Sequence, residues 1–380
     1  MPDIASDVPD ELVRRFASRA ADSDRKGEIG FENIEDLRKG GYLALAVPRQ
    51  QGGGGASLRE IATVVGKVAE GDPSTALILA MQYLQTVAIV RSERWPGTVR
   101  DEVIETIVRS GALLNALRVE PELGTPARGG IPATRIRRDK NRYLLSGRKI
   151  FSTGSSALHW GVVWAATAEE TPRIGQVLVP LASPGIRIEK SWHHLGMRAT
   201  GSDTIIFEDV EVPERYLINF ESNHINPETP ALATWHMVIV PVLYDAIARS
   251  ARNWLIDFLE SRVPTALGRP LSTLPRFHAV LGEIDGLLRT NRALLEFALA
   301  RAENLMISPS ESAQVKRLTT ENAITAVARA VVVTGNPGLS QDNPLARHYR
   351  NVMCGRIHTP QADAVLEEAG RAVFENQRGN

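Results

Sequence analysis

The sequence predicts an α+β chain in which a β domain is set between two helical regions. Three observations predict it. Apolar residues recur at helical spacing through the first third of the chain. From Leu113 to Leu217 the pattern changes to short apolar runs rich in Val, Ile, Thr and aromatic residues, broken by Gly, Pro and Asp. Helical periodicity then resumes by Thr234 and continues toward the C-terminus. The expected divisions are an all-helical domain over 1–112, a β-barrel or sandwich over 113–225 and a helical bundle over 226–380.

Taken in order, 11–20 and 32–39 are short, charged helices. Segment 58–70 carries Ile61, Val64, Val65 and Val68 on one helical face. Segment 75–90 is apolar on most faces, as expected of a helix buried at a domain junction. Pro48 and the run Gly52 to Gly55 break the helices between them. Strands are expected at 143–145, 161–166, 176–180, 185–189, 204–207 and 210–212. Three long helices follow over 238–260, 274–304 and 313–334, with 262–270 as a loop, and a last helix covers 361–375. Continuous apolar residues at Val238, Ile239, Val240, Val242 and Leu243 suggest surface that packs on another subunit.

Composition narrows the function. Lys+Arg and Asp+Glu both number 44, so no nucleic-acid surface is indicated. The single cysteine, Cys354, excludes an intrachain disulfide and a cysteine-built metal site. His193, His194 and His236 lack metal-ligand spacing and read as surface or supporting residues, so no metal is expected. The N-terminus is polar and acidic, and no run of about 18 apolar residues is read, so the expectation is a soluble, cytoplasmic protein with no membrane partner. Nucleotide fingerprints of the GxGxxG and GxxxxGK[ST] kinds are absent, as are HExxH and GxSxG.

One stretch carries candidate chemistry. In 347–361, RHYRNVMCGRIHTPQ, an Arg-rich segment runs into His358, Thr359 and Pro360. Proline cannot lie deep inside a helix, so His358 is expected at a helix break or first turn. An imidazole there can donate, accept or carry a proton near neutrality, or simply cap a surface helix.

Four motifs resemble the acyl-CoA dehydrogenase superfamily. GYLALAVPRQQGG, from Gly41 to Gly53, looks like its early G…vP…yGG signature. Val119, Glu120 and Pro121, with Gly124, are similar to its TEP..GSD strand, with valine in place of threonine. Gly147 to Gly154, GRKIFSTG, resembles G-x-K-x-[FW]-[IS]-[ST]. Leu195 to Thr200, continuing to Phe207–Val210 and Val212–Pro213, resembles lGmR.s…f.dv.VP. The resemblance implies that family's fold, with a C-terminal four-helix bundle, a homotetramer, and FAD or FMN as cofactor. It places Val119, Phe151, Ser152 and Thr153 beside the flavin ring, the Thr153 hydroxyl and N–H toward N5. It places Arg262 and Arg269, with Gly335 and Gly338, at the pyrophosphate and adenosine.

Where dehydrogenases of this family carry the glutamate that removes the α-proton, this chain has Thr359. The alternative position, near Trp235, also lacks an acid. The pattern is similar to the two-component flavin monooxygenases on this fold, of the dibenzothiophene monooxygenase and p-hydroxyphenylacetate hydroxylase types. That resemblance implies a flavin-dependent oxidoreductase using reduced flavin from a separate reductase, O2, a flavin C4a-hydroperoxide and a small-molecule substrate. His358 would be catalytic, with Asn115 and Thr153 in its polar shell, while Gln82 replaces a histidine of some such oxygenases. Two alternatives stay open: an acyl-CoA dehydrogenase using Glu120 or Asp363 as base, and a non-catalytic flavin-fold binding subunit.

Overall fold

A computed structural model describes residues 7–123, 130–221, 230–304 and 306–378. Gly124 and the division expected at 225 lie outside the described residues. The chain begins with α1 (Asp10–Lys26), α2 (Phe31–Lys39), α3 (Leu58–Gly71), α4 (Pro73–Arg91) and α5 (Gly97–Ser110). Local chemistry sets their starts. Ser57 and Glu60 form a reciprocal capping box on α3. Asp72 caps α4 by accepting from the N–H groups of Ser74 and Thr75 at 3.1 and 3.4 Å, ahead of Pro73 in the first turn. Among the described residues α4 alone is long and apolar enough to cross a membrane, and 78% of that window is buried inside the fold. The sequence reading passed over this, because the run is interrupted by buried polar residues such as Gln82 and Gln85.

The middle strands are β1 (Leu113–Leu117), β2 (Arg135–Asp139), β3 (Arg142–Ser152), β4 (Leu158–Thr167), β5 (Ile174–Pro180), β6 (Ile186–Glu189), β7 (Asp203–Val212) and β8 (Leu217–Glu221). They form one continuous sheet in the order β6-β7-β3-β2-β4-β5-β8, with β1 added beside β4. The first half of β4 pairs parallel with β1 and its end with β2, while β5 runs antiparallel along the other edge. β4 is buried on both faces from Trp160 onward, which is why its sequence reads as an unbroken apolar run. The expected strands 204–207 and 210–212 are one strand, β7, bent at Asp209 with φ 49°. β2, RIRRD, has too little apolar alternation to be read from sequence.

The C-terminal helices are α6 (Pro230–Ser261), α7 (Pro275–Glu303), α8 (Pro309–Thr334), α9 (Asn336–Leu339), α10 (Pro344–Met353) and α11 (Ala362–Arg378). The helices α6, α7, α8 and α10 pack together as the four-helix bundle, with α11 against α8. Helices α3 and α4 pack on α6, so both helical regions close around a single core from Val8 to Val352. A second core lies under the sheet and takes in Val99, Val103 and Ile107 of α5. This corrects one expectation. Val238, Ile239, Val240 and Leu243 are at most 1% exposed, buried against the chain's own helices rather than held out for a partner subunit.

Candidate functional site

His358 lies in extended backbone between a short 3₁₀ turn, Cys354–Ile357, and α11, which is the helix break expected from Pro360. Its ring Nε2 is 2.8 Å from the phenol oxygen of Tyr244 on α6. His236, two turns earlier on α6, approaches the ring edge-on with centroids 6.4 Å apart. Beneath, the buried Lys316 ammonium on α8 donates to the carbonyls of His358 and Pro360 at 2.5 and 2.9 Å. Among the described residues these are the contacts made by the ring and its carbonyl, and none is a carboxylate.

The electrostatics follow from burial. Loss of solvent, with His236 and Lys316 nearby, pushes the His358 imidazole down to about 3. It is therefore neutral at physiological pH. Burial also pushes the Tyr244 phenol well above its ordinary value and the Lys316 ammonium down to about 8. Sequence pattern did not single out Tyr244 or Lys316. In the structure both sit on helix faces otherwise made of buried residues, Tyr244 at 0% and Lys316 at 3% exposure.

A second cluster sits where β3 ends. The Asn115 amide donates to the Thr153 carbonyl at 3.1 Å, and its oxygen accepts from the N–H of Ala116 at 2.8 Å. Asn115 therefore braces Thr153 rather than presenting a free amide. The Thr153 hydroxyl pairs with Ser202 at 3.0 Å, and its N–H donates to the Phe151 carbonyl at 3.0 Å. That N–H is thus occupied, because Phe151 at φ 56° folds the chain back on itself. Phe151 is 52% exposed and stands edge-on to Trp192 and His194, which are stacked on each other. His193 beside them is exposed. Ser152 is buried, and its hydroxyl has no hydrogen-bond partner among the described residues. Val119 lies alongside, its carbonyl accepting from the N–H of Ile150 at 2.9 Å.

The two clusters are joined through the Leu195–Thr200 loop. Ser202 pairs with Thr200 at 2.8 Å, Thr200 donates to the Met197 carbonyl at 2.9 Å, and the Met197 N–H donates to Asn351 of α10 at 2.7 Å. Gly196 presses so closely on α10 that a Cβ would lie 2.1 Å from the Arg350 carbonyl oxygen. Only glycine fits there.

The other expected cofactor residues gather elsewhere. Arg262 and Arg269 are exposed in the loop from α6 to α7, and among the described residues neither guanidinium has an ion-pair partner. Gly335 and Gly338 lie at the α8–α9 junction, which antiparallel packing brings to the same end of the bundle. Gly335, at φ 65°, has open space around it, whereas a Cβ on Gly338 would lie 2.1 Å from the Thr334 hydroxyl. Gly338 is thus a packing position.

The two alternative bases have different settings. Glu120 is 1% exposed, 2.6 Å from the Lys149 ammonium, and accepts the N–H groups of Ala133 and Thr134. Burial raises its carboxyl, but Lys149 and the Thr134 hydrogen bonds outweigh this and hold it below its ordinary value. It is a paired structural anion. Asp363 is exposed in the first turn of α11. Gln82 is buried, accepting from the Leu114 N–H at 2.8 Å and donating to the Ala112 carbonyl at 3.2 Å, so it ties α4 to β1.

Comparison with known proteins agrees with this architecture. Family models describing the N-terminal, middle and C-terminal domains of acyl-CoA dehydrogenase match residues 4–92, 118–210 and 246–361. YdbM of Bacillus subtilis, classed with the acyl-CoA dehydrogenases, is 30% identical over 96% of this chain and 95% of its own. The amino sugar nitrososynthase RubN8 of Streptomyces rubradiris is 28% identical, over 92% of this chain and 84% of its own. FMN-bound TdsC from a Paenibacillus species superposes with a TM-score of 0.85 at 20% identity, over 98% of this chain and 97% of that one, a likeness of fold. The helical–sheet–helical order, the motif-bearing loop braced on α10 and the match of all three domains make this chain a member of the acyl-CoA dehydrogenase family.

Proposed function

We propose that this chain is a monooxygenase that uses reduced FMN or FAD and O2 to oxidise a small-molecule substrate, with a separate reductase supplying the reduced flavin. The observation that carries this reading is the neutral His358, held by Tyr244, next to Thr359 where a dehydrogenase needs a carboxylate. Removing an α-proton calls for a base, and an imidazole pushed down to about 3 is a poor one. A neutral imidazole is suited instead to directed hydrogen bonding at developing charge. The nitrososynthase relative, which is named for an oxidation at an amino sugar, and the FMN in TdsC support the same reading.

The residues present fit a flavin. The orphaned Ser152 hydroxyl and the Thr153 hydroxyl offer hydrogen bonds at the end of β3, beside Val119 and the exposed Phe151 ring. The guanidinium groups of Arg262 and Arg269, exposed at the same end of the bundle as Gly335, suit a phosphate. When bound, a reduced flavin supplies the two electrons that activate O2. The protein's part is to place His358 and to keep water from its ring.

The test uses purified protein with a flavin reductase, NAD(P)H and O2. Reductase-dependent O2 uptake with no response to acyl-CoA is expected. His358→Ala should bind flavin normally and lose roughly 10²–10⁴-fold of turnover, with more O2 released as H2O2. A yellow protein whose flavin is bleached by an acyl-CoA would establish the dehydrogenase instead.

A further inference from the structure

We propose that Tyr244 is a positioning residue that sets His358 as its Nδ1–H tautomer, so that the imidazole serves as a neutral hydrogen-bond donor. Its part in turnover rests on the reduced-flavin reading above; the tautomer itself does not.

The argument starts from the phenol. Tyr244 is fully buried, and among the described residues His358 Nε2, at 2.8 Å, is the one hydrogen-bond partner its hydroxyl has. A buried O–H left without an acceptor is strongly disfavoured, so the phenolic hydrogen must point at Nε2. Burial holds the phenol far above its ordinary titration range, so that hydrogen stays in place throughout any working pH. An Nε2 that accepts cannot also carry the proton of a neutral imidazole, which therefore resides on Nδ1. The neighbours oppose a second ring proton. Lys316 places its ammonium under the His358 carbonyl, and His236 packs at the ring edge. The same lysine bonds the Pro360 carbonyl, which fixes the main chain on both sides of Thr359, while the Tyr244 contact holds the ring itself.

The tautomer can be read without any flavin present. Protein labelled with nitrogen-15 at histidine Nδ1 alone is measured by solid-state NMR, the His358 signal being assigned by its loss in His358→Gln. In the wild type this nitrogen should resonate as a protonated nitrogen near neutral pH. Tyr244→Phe keeps the ring and removes the hydroxyl, so the signal should move toward a mixture of tautomers. In turnover, Tyr244→Phe should lower kcat roughly tenfold to a hundredfold with KM and flavin affinity unchanged. An unprotonated Nδ1 in the wild type, or an unchanged signal in Tyr244→Phe, overturns the proposal. Should acyl-CoA bleach the flavin while the labelled nitrogen behaves as described, the monooxygenase reading falls and the positioning role stands.

Discussion

His348 is buried and His358 half-buried, and both are neutral, each pushed down to about 3: by burial and Arg347 at His348, and by loss of solvent, His236 and Lys316 at His358. In the unfolded chain a histidine titrates near its ordinary value, so between about 3 and 6.5 the unfolded state binds more protons. Stability therefore rises with pH across that window and is lost as pH falls through it, by at most about 1.4 kcal/mol per pH unit for each histidine. His348→Leu should flatten the slope between pH 6 and pH 4 by about that amount, measured as urea unfolding free energy. An unchanged slope would show that His348 does not titrate on unfolding. Sequence pattern could find His358, because a histidine one residue before Thr-Pro is anomalous in a helical region. It could not find Tyr244, which sits in an apolar run where a phenol reads as core. Nor could it tell that Asn115 and the Thr153 N–H are bonded to neighbouring carbonyls, since this depends on Phe151 turning back at φ 56°. Glu120 and Lys149 are 29 positions apart, and only the sheet brings them together.

At the scale of elements, the Leu195–Thr200 loop joins the sheet to the bundle. It is anchored by Gly196 against Arg350, by the Met197 N–H on Asn351, and by Arg198 donating to the Asp24 carbonyl at 2.8 Å. Gly196→Ala would force backbone apart at this joint, and overpacking of that kind costs about 1–3 kcal/mol. Thermal unfolding should show the loss, together with weaker flavin binding because the Thr153–Ser202 pair hangs from the same loop. A variant as stable as the wild type would mean the loop can move aside without cost. Most helices and strands are legible in the sequence because burial imposes their periods: α3 shows a clean apolar face and β4 a continuous one. Elements that lack a strong period, such as the charged β2, are visible only once their neighbours are in place.

For the whole molecule, the apolar run from Val238 to Leu243 does not argue for assembly, since it lies in the chain's own core. Other surface does. Leu366, Val373 and Phe374 on α11 are 52%, 58% and 65% exposed, and Val332 on α8 is 77% exposed. Apolar surface of this kind is covered by another subunit in oligomeric proteins. Self-association is expected at micromolar concentration, and light scattering giving the mass of one 41.6 kDa chain would refute it.

The core shared by both ends of the chain bears on how the protein is made. Helices α3 and α4 emerge from the ribosome early, yet the α6 surface that covers them is translated only after the whole sheet. The sheet and α5 carry their own core and can condense in between. Until α6 arrives, the mostly apolar surface of α4 is left partly uncovered, so the nascent chain is a natural client for chaperones that shield such segments. Slow decoding within residues 113–221 would prolong that exposure, whereas a pause after α6 would be harmless to it.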